Sequence, residues 1–213
     1  MENCEAFTKP QQQRSRDALS RVVTSAVSLF SRQSFAATRV SDIAQHAQVP
    51  VGTVYQYFAD KEALLLGIFA GYRDCRMREI RTICASAEAR DATPRQLIAL
   101  HLNIVFSAFT QDAGLLRLIE LRRLEDAHMH RKQSEANDEV ASLFAELLIP
   151  KMPDRDAHEL RRQVLYVHSI IRGAVVWSIL PPGGEMGRGL QITDADFANE
   201  ALQMSLRYLG IEG

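Results

Sequence analysis

Apolar residues recur at spacings of three and four along most of the chain, and no Val/Ile/Thr-rich stretch alternates long enough to form a sheet. Leu19, Val22, Val23, Ala26, Leu29 and Phe30 make one stripe that predicts a helix over about 15–32. Two short helices, 40–47 and 51–58, are split by Gln48-Val49-Pro50, and Lys61 opens a long one reaching about 87. Thr93 as N-cap and Pro94 at the first helical position start a strongly apolar helix ending near Asp112. Helices over 114–124, 136–148 and 157–180 follow, bounded by Pro150, Pro153 and Pro181-Pro182, with Asp154 or Asp156 capping the third. A last helix starts at Thr193, which stands at capping-box spacing from Asp196, and stops at Leu209 before Gly210. The expectation is an all-α chain of about nine helices, divided into a flexible tail over 1–12, a three-helix unit over 13–60 and a larger helical domain over 61–213.

Composition narrows the class. With 46% hydrophobic and 24% charged residues over 213 positions, the chain can bury a core unaided, which argues against disorder. No uncharged run of about 18 truly apolar residues exists, and the N-terminus lacks the basic and apolar segments of a secretory signal, so a cytoplasmic protein with no membrane partner is expected. Cys4, Cys75 and Cys84 form neither a framework nor a Cys-x-x-Cys pair and read as inert thiols. Charge is unevenly placed. Residues 8–61 hold seven basic side chains against three acids, a net of +4, whereas the chain from Glu62 onward has a net of -3. A basic first quarter fits a polyanionic partner for the N-terminal unit and another role for the rest.

Two helices of about two turns joined by three residues cannot stand alone. Ile43, Ala44, Ala47, Val49, Val54 and Phe58 must pack together and onto the first helix, which makes a helix-turn-helix. If Val54 and Phe58 are the buried pair, Gly52 lies about 200° away and faces outward, flanked by Val51, Thr53, Tyr55 and Gln56. Glycine admits close backbone approach, Val51 fits a thymine methyl, and the hydroxyl and amide groups reach phosphates or base edges. Thr38 and Lys61 would flank the same groove, and Tyr57 would pack on the Lys61 helix while its hydroxyl meets a phosphate.

Phe35, Ala37-Thr38, Val40, Ile43-Ala44, Ala47, Val49, Gly52-Thr53, Tyr55, Tyr57-Phe58 and Lys61-Glu62-x-Leu64-Leu65 together resemble the TetR family of bacterial transcriptional regulators over about fifty residues. The resemblance implies that Thr38, Val51, Gly52, Thr53, Tyr55, Gln56, Tyr57 and Lys61 meet DNA. Three positions depart from the family pattern: Ser34 and Gln48 stand where glycine is usual, and Pro50 where a serine N-cap is usual. A positive φ at Ser34 would be mildly strained.

The family resemblance further implies a C-terminal domain that binds a small inducer and dimerises. Candidate ligand residues are His101, Leu102, Phe106, Phe109, Leu116, Glu120, His168 and Arg172, with a solid core as the alternative reading of the apolar ones. Arg172 needs a partner, either an acid such as Glu120 or an anionic ligand. Val175, Val176 and Ile179 with Leu202 and Ser205 are the expected homodimer surface. His128 and His130 diverge on a helix and make a poor metal pair, and no cofactor is expected. No nucleophile elbow, Walker loop or His-Glu-x-x-His motif occurs, so an enzyme is not expected. The functional expectation is a dimeric repressor on a palindromic double-stranded operator, released by a small, largely apolar ligand; the alternative is a ligand-independent DNA-binding adaptor or activator.

Overall fold

A computed structural model describes residues 13–180 and 195–211, and every regular element among them is helical. In chain order these are α1 (Gln13–Gln33), α2 (Val40–His46), α3 (Val51–Tyr57), α4 (Lys61–Cys84), α5 (Ala87–Asp91), α6 (Pro94–Gln111), α7 (Ala113–Arg123), α8 (Ala127–Leu148), a 3-10 turn (Ile149–Lys151), α9 (Ala157–Ile179) and α10 (Ala195–Leu209). The expected 1–12 tail, the Thr193 cap and the Pro181-Pro182 stop lie outside the described residues.

Helix starts follow local chemistry. Asp60, Ser86, Asp126 and Asp156 each accept backbone N–H bonds from the first turn that follows, and Thr93 with Gln96 closes a reciprocal capping box ahead of Pro94. Two of these caps correct the expected boundaries. Ser86 ends the long helix early and begins the five-residue α5, while Asp126 starts α8 nine residues before Ala136. Among the described residues there are ten α-helices, one more than the nine or so expected, in the all-α architecture expected.

One apolar cluster runs from Leu19 on α1 to Leu209 on α10 and binds all the larger helices together. Phe144, Leu148, Val164 and Leu160 are fully buried where α8 packs along α9. Cys84 belongs to this core as a free thiol that burial pushes up to about 11, hence unreactive. Cys75 is not free, which corrects the inert-thiol expectation there, and Cys4 lies outside the described residues.

The expected dimer surface needs correction. Val175, Val176 and Ile179 are buried within the chain, as is Ser205, whose hydroxyl donates to the Ala201 carbonyl; Leu202 is half-buried. The open face of α9 carries Tyr166, Ile170, Gly173 and Trp177, the last 69% exposed. These four follow i, i+4, i+7 and i+11 spacing, and Val175 sits about 180° from their mean direction. Both faces of α9 are apolar beyond Arg172, so periodicity alone could not separate inside from outside. Met204 and Tyr208 are the exposed apolar residues of α10.

Candidate nucleic-acid interface

The turn between α2 and α3 sets the geometry of the N-terminal unit. Ala47 is the C-cap of α2 and Gln48 follows at φ 55. Gln48 N–H donates to the Gln45 carbonyl at 3.1 Å and Val49 N–H to the Ala44 carbonyl at 3.0 Å, the paired bonds of a Schellman motif. Val49 folds back on the small Ala44, and Pro50 then opens α3 with no side-chain cap. Ser34 likewise takes φ 74 after α1. Both positive-φ residues are the positions where the sequence departs from glycine, so each holds a left-handed conformation that a β-carbon disfavours.

Val54 is buried between α1 and α2, which turns the rest of α3 outward. Val51 is 42% exposed and Tyr55 53%; Gly52 and Gln56 are exposed and Thr53 is half-buried. A β-carbon at Gly52 would meet nothing within 4 Å, so the backbone there is open to close approach from outside. Phe58 seats α3 on α4: a β-carbon at Gly67 would come within 2.9 Å of the Phe58 ring.

Three of the eight nominated DNA contacts are engaged internally. Thr38 is 1% exposed and its hydroxyl donates to the Ser34 carbonyl at 2.8 Å, closing the turn after α1, so it is not the groove-flanking hydroxyl expected. Tyr57 donates to the Ser15 carbonyl at 2.9 Å and also pairs with the Ser15 hydroxyl, which ties α3 to the start of α1. Lys61 sends its ammonium inward, donating to the carbonyls of Phe35 (2.8 Å) and Thr38 (2.9 Å) with the Phe35 ring 4.3 Å below it. These side chains build the reading head; Val51, Gly52, Tyr55 and Gln56 form its open face. Arg39 and Gln45, exposed on and before α2, were not nominated; a basic residue at the start of the first short helix was the available signal.

The nominated ligand residues divide into two groups. Leu102, Phe106, Phe109 and Leu116 are buried in the continuous core. The polar four meet across helices: His101 Nε2 and His168 Nδ1 share a hydrogen bond of 2.8 Å with the rings stacked and Phe144 against His101, and Arg172 pairs with Glu120, the acid anticipated for it. Burial holds both imidazoles below the ordinary histidine range, His168 at about 4, with Arg172 adding repulsion. A cleft of about 420 Å³ between α4 and α8 is lined by charged residues including Arg78, Arg81 and Glu139, and holds none of the nominated ligand residues.

Residues 22–68 match the family model described as bacterial regulatory proteins, tetR family. The uncharacterized HTH-type transcriptional regulator YuxN of Bacillus subtilis (strain 168) is 33% identical over 85 residues, covering 39% of this chain and 29% of that protein. The HTH-type transcriptional regulator HbdR of Aromatoleum sp. (strain CIB) is 36% identical over 59 residues, 28% of this chain and 26% of its own. The matched segments thus span about a quarter to two fifths of these curated relatives. In fold, the chain superposes with TM-score 0.72 on a putative TetR-family transcriptional regulator from Mesorhizobium loti MAFF303099, at 16% identity over 95% of this chain and 100% of that one. It also superposes with TM-score 0.63 on the regulator FadR from Bacillus subtilis in complex with stearoyl-CoA, at 17% identity, 91% of this chain and 99% of that one. A putative regulator from Saccharomonospora viridis in complex with choline gives 0.69 at 16% identity, over 90% and 96% of the two chains.

Proposed function

We propose that the chain is a TetR-family transcriptional regulator acting as a repressor, a reading supported by the family match over residues 22–68 and by the matched segments of the curated relatives: two copies place their α3 helices on a palindromic operator, and a small ligand bound in the C-terminal helices releases them. The observation that carries the reading is the open face of α3, where Val51, Gly52, Tyr55 and Gln56 are exposed, with open space over Gly52, while Val54 anchors the helix from behind. A helix of seven residues contacts few base pairs, so two-fold pairing is what supplies specificity.

Support for pairing comes from the stripe of Tyr166, Ile170 and Trp177 on α9, beside which α10 exposes Met204 and Tyr208. Large apolar side chains aligned at i, i+4 and i+11 on an exposed face fit a second copy of the same surface. The ligand itself is inferred by analogy with stearoyl-CoA and choline in the two fold neighbours. The alternative, a regulator with a solid C-terminal core, draws on one observation: Leu102, Phe106, Phe109 and Leu116 are packed in the core and line neither the cleft between α4 and α8 nor the one beside Thr93 and Gly210.

Sedimentation velocity on wild type and Trp177→Glu, run beside binding to the DNA upstream of the chain's own gene, tests the proposal. Wild type is expected to dimerise and to prefer that DNA over random sequence; Trp177→Glu is expected to be a folded monomer with weakened operator binding. A monomeric wild type with no sequence preference refutes it.

A further inference from the structure

Three ionised side chains meet in the interior where α7 faces α9. Glu120 is 2% exposed and accepts hydrogen bonds from Arg123 on its own helix and from Arg172 on α9. The Arg172 side chain is 13% exposed, and Glu120 is the single acceptor it has among the described residues. One carboxylate between two guanidiniums leaves a formal charge of +1, shared between Arg172, 13% exposed, and Arg123, 19% exposed. Arg123 also donates to Nδ1 of His130 on α8 at 3.1 Å, a neutralising contact of no kind. Desolvating Arg172 is costly, and the carboxylate that offsets it is divided with Arg123, so the cluster is one negative charge short of neutral.

A second observation lies one turn away. His168 Nε2 and His101 Nδ1 are both buried without a partner. Because the pair shares a single proton between His101 Nε2 and His168 Nδ1, one orphan atom is a donor and the other an acceptor. When His101 donates, His168 carries its own proton on Nε2. A buried N–H lacking an acceptor then stands four residues before Arg172, on the same face of α9.

We infer that this cluster is an anion-exchange seat: Glu120 fills it in the free protein, and the effector of the regulator carries a carboxylate that replaces Glu120 on Arg172. The inference rests on the ligand-responsive reading above and names the chemical class of its ligand. A planar carboxylate offers acceptors both to the guanidinium fork and to a His168 Nε2–H one helical turn before it on α9, and its charge offsets the excess. Leu116 lies one turn before Glu120 and Val176 one turn after Arg172, both buried, so the body attached to that carboxylate is apolar. Displacement of Glu120 acts on a helix that also touches the reading head. Two residues on, Arg122 holds Glu62 of α4 through two hydrogen bonds of 2.8 Å and lies 5.0 Å from the Phe35 ring.

The test titrates full-length protein with octanoate and with octanamide, its neutral congener of equal length, reading thermal shift, calorimetric affinity and release of operator DNA. Expected results are binding of octanoate over octanamide, a gain of about tenfold in Glu120→Gln and a loss of about tenfold in Arg172→Met. Acetate at constant ionic strength, compared with chloride, supplies a readout independent of tail length: it is expected to raise the melting temperature of Glu120→Gln and not of Arg172→Met. Should Glu120→Gln not fold, wild type against Arg172→Met with octanoate still decides. Equal binding of octanamide, preference for octyl phosphate over octanoate, or absence of both octanoate binding and acetate rescue overturns the inference. Release of DNA by octanamide as well as octanoate would sink the carboxylate while leaving the regulator standing; loss of all operator binding would sink the regulator, with acetate rescue still reporting on the seat.

Discussion

Acidification from pH 7 to pH 5 is expected to destabilise the fold by about 2 kcal/mol through His168 alone. Its pKa is about 4 against the ordinary 6.5, because burial penalises the imidazolium and Arg172 repels it. Between those values the unfolded chain holds a proton that the native state excludes. Stability therefore rises with pH across the window and is lost as pH falls from about 6.5 toward about 4, with a slope approaching about 1.4 kcal/mol per pH unit. His101, wholly buried against His168 and Phe144, is shifted the same way and steepens the loss, though two rings sharing one hydrogen bond do not contribute additively. The charged groups facing the pair are Arg172 on α9 and, through it, Glu120 and Arg123 on α7. Urea unfolding followed by far-ultraviolet circular dichroism at several pH values, at fixed protein concentration, measures the slope. The double variant His101→Leu/His168→Leu subtracts the carboxylates common to both proteins. Parallel pH profiles for wild type and double variant would refute the reasoning, since the imidazoles would then carry no linkage.

Three further outcomes follow from local geometry. Gln48→Gly removes a β-carbon from a residue at φ 55 and is expected to raise stability by about 0.5–1 kcal/mol, read as an increased Tm. Gly114→Val would drive a β-carbon to 2.6 Å from Ser31 Cβ where α7 crosses α1; a loss of about 1–3 kcal/mol in chemical denaturation is expected. Tyr55→Ala should weaken operator binding in a fluorescence anisotropy titration with stability unchanged within about 0.5 kcal/mol, whereas Lys61→Met, which strips a charged donor from two carbonyls, should cost about 2 kcal/mol of stability first.

The reading head was legible because its constraints are local. A three-residue turn between two helices too short to stand alone forces Ile43, Ala44, Ala47 and Val54 inward, and all four are buried. Strain at Ser34 was visible as a missing glycine and is present as φ 74. What failed was any decision made by distant neighbours. Thr38 reads as an exposed polar residue until the Ser34 carbonyl is seen to receive its hydroxyl. Val175 and Trp177 are equally apolar, and only the packing of α9 against α8 and α10 separates the buried one from the exposed one. Residues 127–135 are too polar for hydrophobic periodicity to register, yet Asp126 caps them and Met129 anchors them in the core.

The inward ammonium of Lys61 changes how this protein should respond to ionic strength. Each lysine that neutralises a phosphate releases condensed counterions and steepens the salt dependence of binding by about one in the logarithmic slope. A charge already shared between two main-chain carbonyls and an aromatic ring displaces few ions, so tallying basic residues in the first quarter of the chain overstates that slope. Operator affinity should accordingly persist into buffers where a head dependent on free lysines would let go.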